Sequence, residues 1–268
     1  MASFAVSDGL NIYLNSEKSM SNIENKLYPE VSAGGYSRFD HRMEYIVRVN
    51  ALLEPQMSIL EYGAGHGKWQ DDPIVLRRTL GNFVGRCKKV VACDVDPAVR
   101  DNPQADERIV LEPRRHLPFA DASFDLISAF SVFEHIEDAE SAAAELTRVL
   151  KPGGWICAWT PNKWGYVGIG ARLVPKRLRK IVLRIVEPHR EDVDSFVPVY
   201  RMNTRSKLRQ LFPENMFHDY CYTYDGQPFY HADSIALARL WQFVFWLTPP
   251  PFKAFYMVFF QKKDGSSA

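Results

Sequence analysis

Residues 58–68 read SILEYGAGHGK, a short apolar run that ends in Glu61 and opens at once into Gly63, Gly65 and Gly67. Glycines in such a strand exit permit positive φ and let a ligand approach backbone that carries no Cβ. The spacing predicts a strand-to-helix turn with a ligand above the carboxyl end of the strand. A tight turn with no ligand would produce the same glycines, so the neighbouring segments decide between the two.

About thirty residues on, Val90-Val91-Ala92-Cys93-Asp94 is a second apolar run ending in a carboxylate. An acid at that place can accept two hydrogen bonds from a ribose diol. Further short apolar runs at 108–111, 124–130 and 155–160 alternate with helical periodicity. The leading helix covers 38–53 and is stopped by Pro55. A second covers 137–150, with Ala142, Leu146, Val149 and Leu150 inward and Gly153-Gly154 as its stop. Such alternation predicts an α/β fold, a mostly parallel sheet with helices on both faces. Helices at 203–212 and 233–247 and strands near 217–224 and 254–262 complete the reading. The aromatic helix with Trp241, Phe243, Phe245 and Trp246 is read as core in preference to a membrane anchor. Residues 1–37 form an N-terminal arm or cap. Residues 38–268 form the main domain, with a basic insertion at about 165–198.

The bulk properties exclude more than they assign. The 33 Lys and Arg nearly balance the 32 Asp and Glu of the 268 residues, so nothing points to a nucleic-acid partner. Cys87, Cys93, Cys157 and Cys221 form no CxxC pair, which predicts no metal site and no disulfide framework and fits a reduced, cytoplasmic compartment. The N-terminus lacks a basic start followed by an apolar stretch, so no secretory signal is read. The longest apolar stretch, 235–247, carries Arg239 and falls short of the ~20 residues that cross a bilayer.

Four segments, EYGAGHG (61–67), VVACDVDP (90–97), LPFADASFDLISAFSVFEHI (117–136) and LTRVLKPGGWICAWTPN (146–162), stand in the order and spacing of a known family. Over about 57–161 the chain resembles class I S-adenosylmethionine-dependent methyltransferases of the methyltransferase type 11 pattern. The resemblance implies a Rossmann-like seven-stranded sheet with an antiparallel last strand and S-adenosyl-L-methionine across its carboxyl ends. It implies that Glu61 holds the methionine amino end, that Gly63, Ala64, Gly65 and Gly67 pass beneath the cofactor, and that Asp94 takes the ribose hydroxyls. A helix beginning after Gly67 would offer free N–H groups to the cofactor carboxylate. One departure concerns adenine: where many members carry an aspartate, this chain has Pro113. Recognition is then expected from Glu112 or backbone groups, between apolar walls from Leu117 and Val95. Ser128 joins the cofactor contacts because the segment it opens runs toward the sulfonium.

On the acceptor side His135 is either a general base or a capping histidine. Tyr36, Asn162, Trp164 and Tyr166 are candidate substrate contacts, with Arg38, His41 and Arg42 on the leading helix as a cap. The expected acceptor is a small molecule, first among them a glycan or lipid-linked intermediate. In the insertion, Arg172, Lys176, Arg177, Arg179, Lys180 and Arg184 stand against an apolar side. That pattern makes either a lid with its arginines in solvent or a peripheral contact through 172–184 with the inner face of a membrane. Two other readings stay open: a non-catalytic cofactor-binding or membrane-peripheral module, and a nicotinamide-dependent oxidoreductase. The last is disfavoured because Lys68 stands where the GxGxxG fingerprint needs its third glycine. No oligomeric state is read from the sequence.

Overall fold

The computed structural model describes residues 22–112, 116–174, 198–228, 231–232 and 234–264. Its sheet holds five parallel strands: β1 (Ser58–Tyr62), β2 (Lys89–Asp94), β3 (Glu107–Val110), β4 (Phe124–Phe130) and β5 (Leu150–Pro161). β6 (Phe217–Asp219) and β7 (Tyr222–Tyr224) both pair antiparallel with β8 (Phe255–Lys262), which runs antiparallel to β5. The order is β3-β2-β1-β4-β5-β8-β6, with β7 beside β8. The mostly parallel sheet with an antiparallel last strand is as expected, and among the described residues it holds eight strands, two of them from the stretch near 217–224. The expected strand near 217–224 is interrupted, although Asp219 still faces Phe260 and Tyr222 faces Met257. The Cys221 N–H turns to the Asp219 carboxylate at 3.0 Å, and Arg205 and Arg209 hold that carboxylate at 2.7 and 3.1 Å.

Strands buried on both faces need continuous apolar runs, and six successive residues of β8, Phe255 to Phe260, are buried. One face of the sheet carries Leu60, Val91, Cys93 and Ile127 against α4 (Ala139–Val149), whose Ala143, Leu146 and Val149 point inward. Ala142, expected inward, is only half-buried, and Leu150 already belongs to β5. The helix therefore stops before Gly153-Gly154. The other face carries Ile59, Val90, Ala92 and Leu126 under α2 (His41–Leu52), which buries Tyr45, Ile46 and Val49. Each such side chain contributes roughly 1.5–3 kcal/mol over its exposed state.

Two expectations fail here. No helix follows Gly67: turns run to α3 (Val75–Gly81), because the Trp69 N–H goes to Gln104 at 3.2 Å, Pro73 has no N–H, and the Ile74 N–H goes to Asp72 at 2.9 Å. The anion-binding helix end is thus absent from this place. Nor is α7 (Ile235–Leu247) a core helix, since Ala238 alone among its residues is buried. It packs beside α1 (Asn22–Leu27), to whose neighbour Tyr28 its Gln242 donates at 2.9 Å, and beside α5 (Tyr166–Leu173). In the insertion, α5 and Val174 are described; Lys176, Arg177, Arg179, Lys180 and Arg184 lie outside the described residues, as do most of the N-terminal arm and Pro113.

Asp40 caps α2, accepting from the N–H groups of Arg42 and Met43 at 2.8 and 3.0 Å, and its other oxygen holds the buried Arg77 guanidinium of α3. Asp72 completes that cage at 2.8 Å. Asp40→Ala removes the cap and half of a buried cation's counter-charge, so unfolding in urea should show a loss of about 2–3 kcal/mol.

Candidate functional site

Paired residues of parallel strands share a face of the sheet. Glu61 faces Ala92 and Ser128, and Phe130 faces Trp159. Counting by twos along each strand sets Glu61, Asp94, Ser128, Phe130 and Trp159 on one face at the carboxyl ends, beneath the start of α2. That is where the open edge of a doubly wound sheet receives ligands.

The loop after β1 is fixed by the end of β2. Gly63 and Ala64 donate their N–H groups to the Cys93 carbonyl at 2.8 and 3.2 Å, and Gly65 donates to Asp94 Oδ2 at 2.8 Å. The other oxygen of Asp94 accepts from the Asp96 N–H at 2.9 Å. A carboxylate has about four acceptor positions, so Asp94 keeps capacity for two hydroxyl donors. The three glycines at φ +70°, +51° and +97° serve different ends. A Cβ on Gly63 would strike Val132 at 2.5 Å and one on Gly67 would strike Asn102 at 2.7 Å, so those two are needed for packing within the protein. Above Gly65 the nearest atom is Asp94 Oδ2 at 4.0 Å. The approach of a ligand to bare backbone is thus narrowed to one glycine.

Glu61 is 8% exposed and accepts no hydrogen bond from a described residue. Burial pushes its carboxyl up to about 8. An acid without donors in the interior is costly unless neutral or paired with a cation. Ser128 Oγ lies 2.9 Å from the hydroxyl of Tyr45, which also donates to the Cys157 carbonyl at 3.1 Å.

Of the remaining expected residues, Val95 and Glu112 are exposed, and Leu117 is buried in the α4-side core with its N–H given to Glu145 at 2.8 Å. His135 ends a short 3-10 turn, Phe133–His135, its Nε2 3.9 Å from Glu134 Oε1. Glu134 is buried, which raises its carboxyl, and accepts from Thr160 at 2.9 Å. Asn162 is fully engaged inside the protein: its amide donates to the Pro251 and Lys253 carbonyls at 2.9 and 2.8 Å, and its oxygen accepts from the Trp164 N–H at 3.0 Å. A tether to the chain before β8 explains it without a substrate. Tyr166 packs on Trp241 and Phe245 of α7, Trp164 stands exposed under Arg172 and Lys163, and Tyr36 lies half-buried against the α2-side core.

Four residues that sequence reading passed over, Tyr45, Trp69, Phe130 and Trp159, form an aromatic layer beside Ser128, joined by the expected cap residue His41. Phe130 stacks on Trp159 at 4.8 Å, Tyr45 and Trp69 meet Phe130 at 5.1 and 5.0 Å, and His41 stacks on Trp159 at 4.7 Å. Burial lowers the His41 imidazole well below its usual range, so the ring is neutral. Lys68 places its ammonium 4.8 Å from the Phe130 ring. The indole N–H of Trp159 is buried and donates to no atom of a described residue. Strand alternation from Glu61 and Ser128 was the available signal for Phe130 and Trp159. Among the described residues no cluster of His, Cys, Asp and Glu could hold a metal ion.

Residues 60–158 match the family model described as a methyltransferase domain. Over 181 residues the chain is 27% identical to the ubiquinone/menaquinone biosynthesis C-methyltransferase UbiE of Laribacter hongkongensis, covering 62% of this chain and 66% of that protein. It is 38% identical over 72 residues to the demethylmenaquinone methyltransferase of Streptomyces griseus, covering 24% and 31%. Across the curated relatives it matches, the chain spans between 15% and 66% of their length. The fold is shared with a chain of the complex between the Haloferax volcanii Trm112 methyltransferase activator and a methyltransferase, with a TM-score of 0.53, 15% identity, and 92% and 99% of the two chains covered.

The raised Glu61 carboxyl makes stability depend on pH. The folded state holds this proton up to about 8 while the unfolded chain releases it near 4.5. The contribution is therefore full below 4.5 and is lost as pH rises toward 8, by up to about 1.4 kcal/mol per pH unit. Urea midpoints measured from pH 5 to 8 should fall in the wild type, and Glu61→Gln should flatten the difference; parallel profiles would remove Glu61 as the cause.

Proposed function

We propose that the chain, whose residues 60–158 match a methyltransferase-domain model, uses S-adenosylmethionine in the class I manner to transfer a methyl group to an oxygenated, lipophilic small molecule. The observation that carries this reading is Glu61, a buried carboxylate without a donor among the described residues, on the same face as Asp94 and beside open backbone at Gly65. S-adenosylmethionine fits that set. Its ammonium group would relieve Glu61, its ribose hydroxyls would fill the free acceptor positions of Asp94, and the Ala64-Gly65 backbone would lie along it. Val95, Leu117 and Glu112 are the candidates around adenine.

When bound, the cofactor supplies a methyl group already activated by a sulfonium leaving group, so the protein's share is alignment and exclusion of water. We assign the acceptor floor to Phe130 and Trp159, with Tyr45 fixing Ser128 beneath it. A flat ring would stack on this layer, and an oxygen on that ring would accept from the Trp159 N–H, which has no acceptor among the described residues. This favours a quinone- or phenol-like acceptor, free or lipid-linked, over a bare glycan, and the two quinone-pathway relatives agree with it. His135 is the candidate base for a hydroxyl proton, with Glu134 behind it to steady the imidazolium. Tyr36 and Trp164 remain candidate contacts at the rim.

Incubation with labelled S-adenosylmethionine and fractionated metabolites, glycans and lipids should put label into a lipophilic fraction; label in none, with the cofactor bound, would leave only a binding module. In calorimetric titration S-adenosylhomocysteine should bind and NADH should not. Asp94→Ala should weaken that binding from several-fold to about a hundredfold, reflecting the roughly 1.5–3 kcal/mol of hydrogen bonds to a charged group.

A further inference from the structure

Helix α7 turns outward an apolar face that no described residue covers. Leu240, Phe243, Leu247 and Trp246 are 55%, 56%, 58% and 78% exposed, and Leu173 at the end of the adjoining α5 is 76% exposed. On a helical wheel the inward side of α7 is taken by Ala238, Trp241 and Phe245, which meet Tyr166 of α5; the opposite side is apolar throughout except for Arg239. Phe243 and Trp246 lie ring to ring at 6.0 Å on this outward side. Apolar surface of this kind on a soluble-looking fold marks a contact site.

Charge identifies what it contacts. Residues 161–174 and 234–253 contain Lys163, Arg172, Arg239 and Lys253 and no Asp or Glu, in a chain whose overall charges nearly cancel. Lys253 is paired with Asp225 at 3.1 Å, whereas Lys163, Arg172 and Arg239 meet no carboxylate of a described residue. Pairing this face with a second copy would set Arg239 and Arg172 against their own kind. An anionic bilayer instead accepts the aromatic side chains at its headgroup level and the guanidinium groups at its phosphates. No helix among the described residues is long and apolar enough to cross a membrane, so the contact is one of lying on the surface.

We propose that the α5–α7 face docks the protein on an anionic phospholipid surface. The inference stands apart from the methyl-transfer reading, because it concerns neither Glu61 nor Asp94. Lipid sedimentation tests it with vesicles of phosphatidylcholine and phosphatidylglycerol in equal parts, against vesicles of phosphatidylcholine alone. The full chain should bind the anionic vesicles, less so as salt rises, and the triple variant Phe243→Ser, Trp246→Ser, Leu247→Ser should lose at least about tenfold in partition. These side chains carry little of the fold, and an unchanged circular dichroism melt with unchanged S-adenosylhomocysteine binding confirms that the variant is intact. Absence of vesicle binding overturns the proposal, with a concentration-dependent dimer that the triple variant abolishes then identifying a second copy as the occupant. Equal binding by wild type and triple variant overturns it too, in favour of the basic residues 175–184.

Discussion

A carboxylate buried at the end of β1 with no hydrogen-bond donor among the described residues is the constraint on which the site turns. The core cannot satisfy Glu61, since its neighbours on that face are Ala92, Ser128 and apolar side chains, and Ser128 is committed to Tyr45. A fold meant only to be stable would place a leucine there. Keeping the acid costs stability whenever it ionises alone, and that cost is recovered only by a cation delivered from outside. The glycine loop makes delivery possible, and Asp94 does two jobs, fixing the loop through the Gly65 N–H while leaving acceptor positions free.

Much of this was legible in the residues because it is local. β1, β2 and β4 begin and end where the apolar runs do, since strands covered on both faces tolerate little else. Glu61, Gly65 and Asp94 stand out because chain direction, turn and acid occur in one short segment each. What escaped depends on partners distant in sequence. The break between β6 and β7 hangs on Arg205 and Arg209 gripping Asp219. The lack of a helix after Gly67 follows from Gln104 and Asp72 capturing N–H groups that a helix would have used. Three glycines alike in sequence divided into two that pack and one that lies open, according to whether Val132 or Asn102 stood opposite.

Asn162 and α7 show the same limit from the other side. A polar residue after a strand end suggests a ligand contact, yet Asn162 is consumed by carbonyls ninety residues away. An aromatic-rich helix suggests core, yet α7 has its apolar side outward. Periodicity reports that a helix has an apolar face; it does not report whether protein lies against it.

The Asn162 tether has a mechanical side. Because its backbone N–H also reaches the Ala254 carbonyl at 2.8 Å, the end of β5, the turn before β8 and the root of α7 are knotted into one stiff corner. Trp159 sits only three residues back from that knot. The path from α7 to the strand that carries Trp159 therefore runs through backbone pinned by three hydrogen bonds instead of through a slack connector.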